Sequence, residues 1–89
     1  MFPRMSVGVM GSAGGKLDDK TRQVARDLGG AIATRGYVLV TGACSGMPHE
    51  AVKGTREQGG IAIGISPALN LEEHMQKYRS PTRGYDAIV

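Results

Sequence analysis

Tyr37-Val38-Leu39-Val40-Thr41 runs straight into Gly42-Ala43-Cys44-Ser45-Gly46, and Pro48 follows two residues later. The apolar run is continuous rather than alternating, which is the pattern of a parallel strand covered on both faces. Pro48 lacks an N–H and so costs nothing in the first turn of a helix, where that donor would have no acceptor. The stretch therefore predicts a strand, a glycine turn and a helix in succession, the unit from which parallel α/β sheets are built.

The same unit repeats on either side. Upstream, Met5–Met10 is a short apolar run ending at Gly11, followed by a glycine-rich loop over Ser12–Lys16. Asp18 or Asp19 can cap a helix whose apolar positions Val24, Leu28, Ala31 and Ile32 recur at three- and four-residue spacing. Arg35-Gly36 ends it, the glycine suiting a left-handed residue just past the helix. Downstream of Pro48, Ala51, Val52 and Thr55 form an inward stripe, and Gly59-Gly60 closes the second helix. Ile61–Ile65 reads as a third strand broken by Ser66-Pro67. Asn70-Leu71-Glu72-Glu73 resembles a capping box for a short third helix to about Lys77, and Asp86–Val89 begins a fourth apolar run. Strand and helix alternate throughout, so the expected fold is an α/β parallel sheet in the order 3-2-1-4, with the fourth strand beside the first. The whole of 1–89 is read as a single domain. The unprotected apolar run at its end predicts an incomplete one, the alternative being a short chain that dimerises through this edge.

Composition narrows the function. The 89 residues include 14 glycines, 40 % hydrophobic and 21 % charged residues, with a net charge of +3. The glycines are not periodic, which excludes collagen, and the apolar content argues against disorder. No apolar stretch approaches the roughly 20 residues of a membrane span, and the first ten residues show no signal-peptide pattern. The lone cysteine, Cys44, can form neither an internal disulfide nor a cysteine-rich zinc site, and no side-chain grouping has metal-ligand spacing. A cytoplasmic protein with neither metal nor membrane partner is expected. The basic residues are scattered and aromatics are few, so no nucleic-acid surface is indicated.

Two glycine turns, Gly11–Gly15 and Gly42–Gly46, fall at the carboxyl ends of adjacent strands, where unpaired N–H groups and helix dipoles favour anions. Gly8, Gly11, Gly14 and Gly15 do not have the dinucleotide spacing, and no acid follows the second strand, which disfavours an NAD-type dehydrogenase. Leu17 after Gly15-Lys16, and Met10 at the first P-loop glycine position, exclude a P-loop NTPase. A mononucleotide or another phosphorylated small molecule remains. The candidate binding residues are Gly11, Ser12, Gly42, Ala43, Cys44, Ser45, Gly46 and Met47. Among nearby groups, Cys44 reads best as a small buried residue. Glu50 complements the helix dipole but would oppose a phosphate if it pointed inward. His74 is expected at the surface, and Arg83 reads as a solvated charge.

Several of these stretches carry a resemblance. Val7-Gly-Val-Met-Gly-Ser12, Leu39-Val-Thr-Gly-Ala-Cys-Ser-Gly46 with Ala51-Val52 and Gly59-Gly60, and Ile63-Gly-Ile-Ser-Pro-Ala68 with Glu73-His74 and Tyr85–Val89 resemble the LOG (LONELY GUY) family. They resemble equally the wider SLOG superfamily of Rossmann-like nucleotide-binding proteins, and more narrowly a short bacterial LOG-like branch. The resemblance implies a three-layer α/β/α sheet, a purine nucleoside 5′-monophosphate ligand, no resident cofactor and a homodimer. It also implies that full-length relatives are hydrolases cleaving an N-glycosidic bond (phosphoribohydrolases, many once labelled lysine decarboxylases). Their Arg-Lys pair and Pro-Gly-Gly-x-Gly-Thr-x-x-Glu loop do not occur here, and Gly42-Ala43-Cys44 stands where those enzymes read three glycines. The chain is therefore expected to be catalytically inactive. A non-catalytic nucleotide sensor or binding module is the alternative to an enzyme, and a structural fragment without ligand is a third reading.

Overall fold

The computed structural model describes residues 4–11, 18–43, 46–66, 68, 70–76 and 83–89. Its elements are β1 (Ser6–Val9), α1 (Asp19–Thr34), β2 (Val38–Thr41), α2 (Met47–Glu57), β3 (Ile61–Gly64), α3 (Leu71–Gln76) and β4 (Ala87–Ile88). Their ends have the expected chemistry. Asp18 caps α1 by accepting from the Thr21 N–H at 2.7 Å. Gly36 beyond α1 and Gly59 beyond α2 take positive φ, +74° and +71°. Asn70 caps α3 by accepting from the Glu73 N–H at 2.8 Å.

The four strands form one parallel sheet, as a Rossmann-like α/β fold requires, with Val7 opposite Leu39 and Leu39 opposite Ala62. That register places Val7, Val9, Leu39, Thr41, Ala62 and Gly64 on one face. α1 and α2 lie against each other and against β2. Val9, Ile32, Leu39, Ala51, Val52 and Ala62 make the core between helices and sheet. Removing a side chain such as Leu39 from water contributes about 1.5–3 kcal/mol. Val38, Val40, Ile61 and Ile63 on the opposite face are half-buried.

Two expectations are corrected. The strand order is β1-β2-β3-β4 rather than 3-2-1-4: β4 pairs with β3, Ile63 opposite Ala87. Asp86 directs it there. Its N–H donates to the Ala62 carbonyl at 2.8 Å, its carboxylate accepts from the Ala62 N–H at 2.8 Å, and Arg56 bridges to the same carboxylate at 2.9 Å. The described sheet therefore has no point at which strand order reverses. In α1, the buried residues are Ala25, Gly29 and Ile32, while Val24 and Leu28 are 57 % and 48 % exposed and Ala31 is exposed. The inward stripe is chosen by closeness of approach. A Cβ on Gly29 would lie 1.9 Å from the Ala51 carbonyl oxygen, and one on Gly54 would lie 1.8 Å from that of Arg26. Only small residues fit where the two helix backbones touch, and the Thr55 hydroxyl seals the contact by donating to the Gly29 carbonyl at 2.9 Å.

Candidate functional site

The chain leaves the carboxyl end of β2 through a tightly specified turn. Thr41 is fully buried, and its Oγ1 accepts from the Ala43 N–H at 3.0 Å. That bond holds Ala43 at φ +57°, a left-handed conformation that costs a non-glycine residue about 1–2 kcal/mol. The Ala43 methyl is itself buried against β3, where a Cβ on Gly64 would lie 2.7 Å from it and 3.0 Å from the Tyr85 ring. Gly64 must lack a side chain for β2, β3 and Tyr85 to meet there. The Tyr85 hydroxyl lies 3.2 Å from Thr41 Oγ1, completing the set.

Gly46, at φ +88°, then caps α2 without a side-chain bond. Its carbonyl accepts from the N–H groups of both His49 and Glu50 at 3.1 Å. Pro48 has no N–H, so the Met47 N–H is the first-turn donor left without an acceptor inside the helix. Gly11, at the end of β1, lies beside it: a Cβ on Gly11 would be 3.4 Å from Met47 Cβ. The structure thus brings Gly11, Gly42, Ala43, Gly46 and Met47 to one end of adjacent strands. Ser12, Cys44 and Ser45 lie outside the described residues, as does the rest of the first glycine loop.

The charges around the α2 N-terminus are arranged away from that end. Glu50 Oε2 lies 3.1 Å from Arg26 Nη2 and its Oε1 lies 3.1 Å from Lys53 Nζ. Burial raises the Glu50 pKa, but the hydrogen bonds from Lys53 and Arg26 outweigh it and hold the carboxyl below its ordinary value. The carboxylate is occupied between α1 and α2 and does not oppose an anion at Met47. His49 is half-buried and its Nδ1 has no hydrogen-bond partner. Burial, and then the Lys53 charge, push its imidazole below the usual range, against a smaller pull from Glu50.

A second polar constellation escaped the sequence reading. His74 is 1 % exposed, not on the surface, and its Nδ1 lies 2.6 Å from Ser66 Oγ, which also accepts from the Ala68 N–H at 3.1 Å. The pair is eight residues apart, one residue beyond β3 and the other within α3, so no helical or strand period joins them. The fixed distance between a strand end and the capped helix after it was the one available signal. Arg83 is exposed, as expected of a solvated charge. Among the described residues no group of acids, histidines or cysteines could hold a metal, and no helix is long and apolar enough to cross a membrane.

Residues 4–87 match the family model described as the SLOG cluster4 family. The chain belongs to that family. Two solved structures share the fold of this SLOG cluster4 chain. The molybdenum cofactor carrier protein of Chlamydomonas reinhardtii is 32 % identical, with a TM-score of 0.78, over 98 % of this chain and 48 % of its own. The molybdenum cofactor binding protein of the phototrophic bacterium Rippkaea orientalis is 29 % identical, with a TM-score of 0.81, over 100 % of this chain and 50 % of its own. A protein of Archaeoglobus fulgidus is 35 % identical over 63 residues, 71 % of this chain and 40 % of that protein. The SLOG cluster4 chain thus spans half or less of the length of these relatives. The resemblance to SLOG proteins read from the sequence is borne out.

Proposed function

We propose that the chain contributes a binding module for a phosphorylated fused-ring heterocycle and that this ligand is the molybdenum cofactor, a phosphorylated pterin. The observation that carries the reading is the approach of Gly11, beyond β1, to Met47, the first residue of α2. Gly11 and Met47 are in contact at the positive end of α2, and the acid of the first turn, Glu50, is drawn off by Arg26 and Lys53. Backbone N–H groups at such a point suit a phosphate without a dedicated side chain. The choice of pterin follows the two structural neighbours whose names state that ligand.

A purine nucleoside 5′-monophosphate is the second reading, supported by the likeness of Val7–Ser12 and Leu39–Gly46 to nucleotide-binding LOG proteins. Both ligands would place a phosphate against Gly11, Ser12 and Gly42–Met47. The homodimer belongs to the same proposal, with sedimentation equilibrium as its test.

Parallel calorimetric titrations with the molybdenum cofactor and with AMP separate the readings. The first predicts saturable cofactor binding that Gly11→Asp weakens at least tenfold, with AMP at least tenfold weaker than the cofactor. The reverse preference supports the nucleotide. Absence of binding by either ligand contradicts both.

A further inference from the structure

Between α3 and the carboxyl ends of β3 and β4 lies a cavity of about 540 Å³, lined among others by Ser66, Asn70, Leu71, His74, Tyr85 and Val89. Its volume falls within the roughly 300–1,000 Å³ of small-molecule sites. We infer that this cavity is the seat of the ligand's ring system, a planar fused heterocycle of the pterin class, while the glycine turns hold its phosphate. The inference rests on the binding function proposed above and extends it to a region that the glycine turns do not include.

Continuity is the first argument. Tyr85 lines the cavity, yet its ring packs on Gly64 and its hydroxyl meets Thr41, the residue that fixes Ala43 in the turn. Tyr85 therefore belongs both to the cavity wall and to the packing that holds the β2 turn, and in the proposed pose the ligand lies across it.

Chemistry is the second argument. The cavity walls include Leu71, a large apolar side chain that is 58 % exposed. The polar groups beside it are neutral hydrogen-bonding groups: the Ser66 hydroxyl, backed by buried His74 at 2.6 Å, and the amide of Asn70. The carboxylate on the lining, Asp86, is bonded to Arg56 and to the Ala62 N–H. A slot with apolar walls and a few fixed, uncharged polar groups suits a flat heterocycle with hydrogen-bonding edges, and it is a poor seat for a phosphate.

The test uses 6-hydroxymethylpterin, which carries the ring without the phosphate and is fluorescent, with adenosine as the purine counterpart. Fluorescence anisotropy should show saturable binding of the pterin to the protein. Leu71→Trp, a substitution at an exposed position that narrows the mouth, should weaken it at least tenfold. Ser66→Ala should weaken it at least threefold, with the circular dichroism spectrum of each variant unchanged. Adenosine should bind at least tenfold more weakly than the pterin. If the intact cofactor binds but the pterin does not, or if pterin binding is indifferent to both substitutions, the ring site is overturned while the binding function stands. Adenosine binding as tightly as the pterin overturns the pterin assignment. If neither cofactor nor pterin binds, both proposals fall together.

Discussion

A methyl group at position 29 would sit 1.9 Å from the Ala51 carbonyl oxygen, far inside contact distance. Helix propensity alone favours Gly29→Ala by about 1 kcal/mol. Forcing two helix backbones apart costs about 1–3 kcal/mol or more, so the clash wins. Gly29→Ala is expected to lower the melting temperature by several degrees or to prevent folding, as thermal circular dichroism will read; an unchanged melt would refute the close approach. His49 gives a pH prediction. Its folded pKa lies below the ordinary 6.5, so the unfolded chain takes up a proton more readily. Its contribution to stability is therefore complete above pH 6.5 and declines as pH falls below that value. Glu50, held below 4.5, acts in the same direction in a lower window: full above pH 4.5 and lost on further acidification. Urea midpoints followed from pH 8 to 4 should fall in both windows, and His49→Gln should abolish the upper fall only.

At the scale of elements, the α1–α2 contact joins the fold to the site, because the ion pairs that align the helices also remove the Glu50 carboxylate from the end of β2. Glu50 is 11 % exposed at its side chain, whereas Arg26 and Lys53 are 36 % and 45 % exposed, so solvent screens the partners more than the acid. A double-mutant cycle of Glu50→Gln with Arg26→Gln should give a coupling of about 1 kcal/mol that shrinks in high salt. These elements were also where the sequence was most legible. The caps at Asp18 and Asn70, the glycines at 36 and 59, and the inward Ala51, Val52 and Thr55 are local features, and each stands where expected. What could not be read was non-local. The α1 stripe was misassigned because glycine, with no hydrophobic signal of its own, takes the buried position that Val24 and Leu28 were expected to hold. The partner of β4 was misassigned because Asp86 reaches back to Ala62, a contact no spacing rule contains.

For the molecule as a whole, the glycine turns announced themselves as strand-end turns, and the structure brings Gly11 and Met47 together. The Ser66–His74 pair and its cavity depend on where the short helix α3 lies relative to the ends of β3 and β4, which only the three-dimensional arrangement shows. The proposed role is binding rather than bond cleavage. Incubated with AMP, the chain should release no free base above a blank, as chromatography of the products will establish; base release that scales with protein concentration would contradict that role. In the proposed binding mode the phosphate of the ligand rests against Gly11, Ser12 and Gly42–Met47. Amide chemical-shift mapping by NMR during titration with the molybdenum cofactor tests it most directly. Saturable shifts are expected at Gly11, Ala43, Gly46 and Met47, suppressed by Gly11→Asp, with the exposed outer face of α1 around Gln23 and Asp27 unmoved. Shifts confined to that face, or saturable binding that leaves the four turn amides in place, would contradict this binding mode.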